Sequence, residues 1–234
     1  MRRTLVYLII LGLLALPGVI SARGVDFYSL FPNLVLGSDP NGTDSVYTDC
    51  GGITANQVTL QVRVKTDNAD PNDALQGIYI PIELSADQAG VTLDSTVTSA
   101  YTGSAVQNWQ TDGAMYVSVV SNGGDPSGFP MQLVLDGVDL DQSDVLGAGD
   151  HLVASLKFNV SQPTNICATG TFEFQSNGIA LVTTEANGYT PAFTGGCCGP
   201  IVPSLSEWGL ILFGITLLLG LVWYVRKRRV AARV

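Results

Sequence analysis

In stretch after stretch between residues 57 and 182, apolar side chains recur at every second position, and this alternation restricts the fold more than any other feature of the chain. The longest run is Leu152, Ala154, Leu156, Phe158 and Val160, interleaved with Val153, Ser155, Lys157 and Asn159. Val58, Leu60, Val62 and Val64 alternate with Thr59, Gln61, Arg63 and Lys65. Ile78, Ile80, Ile82 and Leu84 alternate with Tyr79, Pro81 and Glu83, and shorter runs follow at Met115, Val117, Val119 and at Met131, Leu133, Leu135. Successive side chains of a strand point to opposite faces, so each run predicts a strand with one buried face. Phe172 to Phe174 and Ile179 to Val182 read as a closing pair, turned at Ser176-Asn177-Gly178, an Asn-Gly hairpin signal. Pro81 has no N–H to give a ladder and predicts an edge strand or a bulge.

Turn-rich stretches at 67–73, 121–128 and 136–150 separate the runs, and no helical stripe with caps lies between Arg23 and Pro200. The predicted fold class is all-β, a single antiparallel β-sandwich over residues 23–189 with an N-terminal strand around Asn33 to Leu36. A Gly/Pro-containing linker is expected over 190–201.

Both ends read as addresses. Met1-Arg2-Arg3, the apolar run Leu5 to Leu16, Pro17-Gly18 and the small residues Ser21 and Ala22 follow the order of a secretory signal peptide over residues 1–22. At the other end Gly209 to Val225 is an uncharged stretch of seventeen residues, the short end of what spans a bilayer as a helix. Trp208 flanks it on one side and Trp223 and Tyr224 on the other, where amphipathic rings prefer the interface. Arg226-Lys227-Arg228-Arg229 follows as a membrane-stop cluster that stays cytoplasmic, which places the β domain outside.

Charge divides along the same lines. Of eleven basic residues only Arg63, Lys65 and Lys157 lie between the two ends, against nineteen of the twenty acids. So acidic a body repels nucleic acid and anionic headgroups, which excludes a nucleic-acid partner, and it tolerates divalent cations.

The residues ahead of the apolar stretch read Val202-Pro203-Ser204-Leu205-Ser206-Glu207-Trp208-Gly209. They resemble the head of the IPTL-CTERM sorting signal, an Ile-Pro-Thr-Leu-x-x-Trp-Gly motif followed by a hydrophobic helix and a basic cluster. Pro203, Leu205, Trp208 and Gly209 match, whereas Val202 and Ser204 replace Ile and Thr. The resemblance covers about residues 201–230. It implies a membrane partner and recognition, with cutting near the motif, by an exosortase-type enzyme. The expected organisation is a sorting tail over 202–234 with a transmembrane helix at 209–225, and a cell-envelope protein released or transferred to the surface after processing.

Cys50, Cys167, Cys197 and Cys198 show no metal-site spacing, and in an exported chain disulfides are the default. Joining the adjacent Cys197 and Cys198 requires a strained ring. Cys50 and Cys167 pairing each with one of those two is favoured, and a Cys50–Cys167 bridge is the competing arrangement.

Catalysis has little to work with. His151 is the one histidine, and no nucleophile-elbow signature is present, so no catalytic residue is assigned. Loops at 67–73 and 136–144 instead concentrate oxygen ligands of the kind calcium takes, with Asp67, Asp70, Asp73, Asp139, Asp141 and Asp144 as candidates. Asp39-Pro40-Asn41-Gly42-Thr43-Asp44 is a third, weaker candidate, and solvated turns capped by Asx side chains are the plain alternative.

The body carries a looser resemblance. Lys65-Thr66, an Asp/Asn loop and Leu75 to Leu84 are similar to the opening of cohesin-type sandwiches. Gly149-Asp150-His151-Leu152 to Phe158 resembles their Gly-Asp-x-Leu-hydrophobic-x-Leu-x-Phe strand, with one extra residue between Leu152 and Leu156. Over roughly residues 55–185 this implies a nine-strand jelly-roll sandwich related to carbohydrate-binding and scaffold-binding modules, with no ligand specified. The function expected is therefore a non-catalytic adhesive or scaffolding domain of the cell envelope, contacting another envelope protein. A polysaccharide-binding module, using Tyr79, Tyr101, Trp109 and Tyr116 as a platform, is the alternative, and a secreted hydrolase is the third reading.

Overall fold

The computed structural model describes residues 34, 36–39, 42–109, 114–174, 178–200, 209 and 211–219. The expected signal peptide, the basic cluster and most of the sorting motif lie outside those residues, as do Ser176 and Asn177 of the expected hairpin. The chain divides into two compact units, Met1–Gly199 and Pro200–Val234.

The first unit is a sandwich of two sheets. In chain order its strands are β1 (Leu36–Gly37), β2 (Ser45–Ile53), β3 (Gln57–Thr66), β4 (Leu75–Ala86), β5 (Val91–Leu93), β6 (Ala114–Val119) and β7 (Met131–Val138). They continue with β8 (Gly149–Val160), β9 (Ile166–Thr171), β10 (Ala180–Thr183), β11 (Gly188–Tyr189), β12 (Ala192–Thr194) and β13 (Cys197–Cys198). The smaller sheet runs β12-β2-β3-β8-β5. The larger runs β1-β11-β10-β4-β7-β6, with β9 also on β4 and β13 on β9.

Val58, Leu60, Val62 and Val64 of β3, with Leu156 and Phe158 of β8, face Ile78, Ile80, Ile82 and Leu84 of β4 and Leu133 and Leu135 of β7. All are at most 1% exposed, so the alternation read from the sequence is the inner surface of the sandwich.

Two edges of that core need closing. The connection from β5 to β6 closes one. Thr96 caps a short helix, α1 (Val97–Tyr101), by accepting from the Ser99 N–H. Ala105 N then donates to Leu152 O of β8 at 2.8 Å, while Tyr101 Oη donates to Tyr116 O of β6 at 2.8 Å. Trp109 is fully buried and donates Nε1–H to Asp144 O at 2.9 Å. Gly137 in β7 makes room for Met115 beside it, because a Cβ there would strike the Met115 side chain while meeting the Trp109 ring only at ordinary contact, 3.5 Å.

The chain's last strands close the other edge. β12 pairs with β2 of the smaller sheet and β13 with β9 of the larger, so Gly195-Gly196 passes between the sheets. A Cβ on Gly195 would collide with Ala168 O of β9, and one on Gly196 with Thr48 O of β2. Gly196 N donates to Thr48 Oγ1 at 2.6 Å, and Ala168 N donates to Gly196 O at 3.0 Å. Neighbouring side chains of a strand point opposite ways. Cys197 accordingly bridges to its register partner Cys167 on β9, and Cys198 to Cys50 on β2.

Five expectations change. Ala192–Thr194 and Cys197–Cys198, expected within a linker, are strands of the sandwich because they pair with β2 and β9. Pro81 sits in β4, a central strand, not at an edge. On one flank β10 pairs with β4 as far as Tyr79 and β9 begins at Ile82, so Ile80 and Pro81 have registered partners only on β7. An interruption of this kind is where a residue without an N–H can sit in a sheet. Arg63 opposes Leu152 while Val62 opposes Ala154, so Val153 is a bulge residue and is fully buried, whereas Leu152 is half-buried. That bulge is the extra residue between the two leucines. α1 was absent from the periodicity because it is five residues long. Phe172 to Phe174 form no strand with β10. Instead they pack on a second, outer cluster of Tyr79, Val134, Val138, Ala180 and Val182, and β10 pairs with β4 and β11.

In the second unit, residues 211–219 are helical, and Leu212, Phe213 and Leu218 are 61%, 61% and 67% exposed. Among the described residues no helix is long and apolar enough to cross a membrane.

Trp109→Ala should lower unfolding free energy by about 3–5 kcal/mol, since it empties the wedge between β6 and β8 and strips the Asp144 carbonyl of its donor. Urea denaturation followed by tyrosine fluorescence or circular dichroism measures this. A loss under about 1 kcal/mol would be that of a surface residue.

Candidate functional site

Asp67 and the Asp39–Asp44 segment, separate in sequence, meet in space. One oxygen from each of Asp39, Asp44 and Asp67 lies within 4.8 Å of the others, the one such trio among the described residues. The reason is a polar tie between the sheets. Tyr189 of β11 donates its hydroxyl to Asp44 Oδ2, just ahead of β2, and Asn68 Nδ2, just after β3, donates to Tyr189 Oη at 3.0 Å and to Asp44 Oδ2 at 3.3 Å. Asp67 N donates to Asp44 Oδ1 at 2.9 Å, Asp44 N donates to Asp39 Oδ2 at 2.8 Å, and Thr43 donates its hydroxyl to Asp67.

Asp44, Asn68 and Tyr189 are 3%, 0% and 1% exposed. Burial raises the Asp44 carboxyl above the ordinary carboxylate range, against the pull of the Tyr189 and Asp67 hydrogen bonds. Burial and then the Asp44 carboxylate raise the Tyr189 phenol. The composition of the 67–73 loop displayed none of this, because the partners come from residues 44 and 189.

Asp70 and Asp73 stay outside the trio. Asp70 shapes a turn: Asn72 N donates to its Oδ1 at 2.9 Å, and Asp73 N and Ala74 N donate to its carbonyl at 2.9 and 3.1 Å. This is the Asx-capped turn of the plain reading.

The 139–144 loop is different. Asp139 is 1% exposed, its N–H donates to Gln76 O at 2.7 Å, and its Oδ2 accepts from Asp144 N at 2.8 Å. Burial raises the Asp139 carboxyl, and the neighbouring carboxyl of Asp141 adds to the rise. Asp141 is exposed and is lowered by donors from Ser143, whose N–H lies 3.0 Å from Asp141 Oδ1. Asp144 accepts the Ser143 hydroxyl at 3.3 Å.

The outer face of the smaller sheet carries all three basic residues of the body: Arg63, Lys65 and Lys157. Arg63 Nε donates to Tyr47 Oη at 3.0 Å and to Asp150 Oδ1 at 3.1 Å, while Tyr47 donates to Asp150 Oδ2 at 2.7 Å. Tyr47 foremost, then Arg63, lowers the Asp150 carboxyl. An exposed ion pair like this adds less than about 1 kcal/mol.

The expected aromatic platform does not form. Tyr79, Tyr101 and Trp109 are 3%, 0% and 0% exposed, two of them as closing groups of the core and Tyr79 under the Phe174 carbonyl, to which it donates at 3.3 Å. Tyr116 is half-buried on β6. His151 Nε2 lies 2.8 Å from Gly147 O, within the loop ahead of β8.

No protein-family model matches the chain, and no curated protein does. Solved structures that are similar include the seventh ScaB type I cohesin from Pseudobacteroides cellulosolvens, at 12% identity and TM-score 0.41, over 66% of this chain and 90% of that one. A type II cohesin domain from the cellulosome of Acetivibrio cellulolyticus is similar at 12% identity and TM-score 0.42, over 66% of this chain and 94% of that one.

The polar tie gives a signed pH dependence. Tyr189 favours the ionised form of Asp44, so Tyr189→Phe raises the folded-state carboxyl further above its unfolded value near 3.8. A raised carboxyl leaves folding stability intact below the unfolded value and erodes it as pH climbs through the folded one. Tyr189→Phe should therefore lose about 1.5–3 kcal/mol at pH 7 and clearly less at pH 4, measured by denaturant unfolding of both proteins at both values. Equal losses at both values would contradict this.

Proposed function

We propose that this chain is an exported cell-envelope protein, addressed by its C-terminal residues 202–234 and presenting a non-catalytic adhesive or scaffolding sandwich outside the membrane. The observation that carries the reading is the use of its cysteines. All four are paired, and the two bridges lock the end of the sandwich a few residues ahead of Val202-Pro203. Bridges of this kind persist in oxidising compartments and are rare in the cytosol. A signal peptide over 1–22 supplies the route.

The tail supports anchoring. Leu212, Phe213 and Leu218 stand exposed, a surface that suits lipid better than water, and residues 220–225 continue the apolar run to Arg226-Lys227-Arg228-Arg229. The sorting motif Val202, Pro203, Ser204, Leu205, Trp208 and Gly209 directly precedes that apolar run in the sequence, the order an exosortase-type membrane enzyme would recognise.

For the sandwich, the polar outer face of β2, β3 and β8 is the contact surface we favour, because it gathers Arg63, Lys65 and Lys157 on an otherwise acidic body and suits an acidic partner of the envelope. Burial of Tyr79, Tyr101 and Trp109 removes the platform on which a flat polysaccharide-stacking site rested.

Intact-mass measurement of the protein from its native host tests the processing. The expected mature species begins near Arg23, has four fewer hydrogens than the reduced chain, and carries nothing from about Leu210 onward. A chain running to Val234 in membranes would leave a plain anchor and overturn the cut.

A further inference from the structure

A sheet ends in strands with one side unpaired, and proteins keep such edges short or guard them with charge, proline or a bulge. Among the described strands, the edges β1 and β13 have two residues each, and β5 and β12 three. β6 is different. It ends the larger sheet and runs for six residues, Ala-Met-Tyr-Val-Ser-Val, with no charge, proline or bulge.

The ladder fixes which of its backbone groups are free. β6 pairs with β7 in one unbroken register, and just past it Val120 N donates to Gln132 O at 2.9 Å. Hydrogen-bonded and non-bonded pairs alternate along an antiparallel ladder. Tyr116 and Ser118 therefore turn their N–H and C=O towards β7, while Met115, Val117 and Val119 turn theirs outward. Among the described residues nothing hydrogen-bonds to those outward groups. A Cβ on Gly124 would lie 3.6 Å from Val119 O, but the Gly124 N–H is spent on Ser121 O at 2.9 Å.

The rim is apolar as well as unpaired. Met115, Val117 and Val119 pack on the core, yet Val117 and Val119 are only half-buried. Their register partners on β7, Leu135 and Leu133, are fully buried. The Tyr101 and Trp109 wedge thus leaves a strip of core uncovered along β6.

We propose that this edge pairs with the β6 edge of a second copy of the chain, antiparallel across a two-fold axis, joining two larger sheets into one. With Val117 opposite its counterpart, Met115 of one copy meets Val119 of the other, and each outward N–H meets an outward C=O. The core-side strip is then apolar against apolar, and on the outer side Tyr116 stands across from Ser118, hydroxyl to hydroxyl. Charge favours the same choice. Between the two ends of the chain nineteen acids face three bases, so most surfaces of two copies repel, and an uncharged strand is where they can touch. The pairing goes beyond the envelope role and needs no processing of the tail.

Sedimentation of the full chain in detergent at pH 7, disulfides formed, is the test, together with amide hydrogen exchange over residues 115–119. A concentration-dependent dimer is expected, with Kd at or below about 100 μM, the weak end for a small interface. Exchange at 115–119 should slow as the dimer fills. Val117→Pro should weaken the dimer on the order of 100-fold or more, with circular dichroism unchanged, because the N–H it removes is not one the β7 ladder uses. The exchange readout uses the wild-type chain and needs no variant to fold. A chain that stays monomeric up to on the order of 1 mM would leave the edge to another partner or to none, and would overturn the proposal. So would a Val117→Pro dimer as tight as wild type, or a dimer whose protection is confined to the exposed apolar helix at 211–219.

Discussion

The structure depends on one crossing. Where Gly195-Gly196 passes from the edge of the smaller sheet to the edge of the larger, two adjacent cysteines take the chain in opposite directions, Cys197 to Cys167 on β9 and Cys198 to Cys50 on β2. A sandwich held by apolar burial alone can open like a book along an unclosed edge. This one is stitched there covalently, over loops of 148 and 30 residues. Bridges that close long loops remove much freedom from the unfolded chain, typically about 2–4 kcal/mol each. The Asp44, Asn68 and Tyr189 tie joins the same two sheets with buried polar groups. On the opposite edge Trp109 and Tyr101 do by packing what the cysteines do by bonding.

The stitched crossing is the last thing the sandwich does before the chain leaves for the tail. The last strand of the first unit is thereby bonded covalently to β2 of one sheet and β9 of the other.

Much of this was legible in the sequence, for a physical reason. A strand with one buried face writes its own alternation, as β3 and β8 did; β4 and β7 alternate as well, although Tyr79, Val134 and Val138 bury their outer face too. β2 did not, because its inner positions include Thr48, whose hydroxyl serves Gly196, and its second half, through Gly51 and Gly52, is exposed. Pro81 and Val153 were misread because proline tolerance and bulges depend on what the neighbouring strands do. Tyr101 and Trp109 sit in a turn-rich segment that resembles a surface loop in composition, and only the two edges they join make them core. The acid loops show the same divide. Composition marked Asp67 and Asp139 as oxygen-rich, but what surrounds them is decided by Asp44, Tyr189, Gln76 and Asp144, and only Asp144 belongs to either loop.

The claim on which both the fold and the export reading rest is the pairing of the four cysteines. Peptide mapping of unreduced protein from the native host, by proteolysis and mass spectrometry, reads it directly. The account predicts that Cys50, Cys167 and the Cys197-Cys198 peptide appear as a single three-peptide species, and that cleavage between Cys197 and Cys198 resolves it into Cys50–Cys198 and Cys167–Cys197. A Cys50–Cys167 peptide, or free thiols in freshly isolated protein, would contradict it.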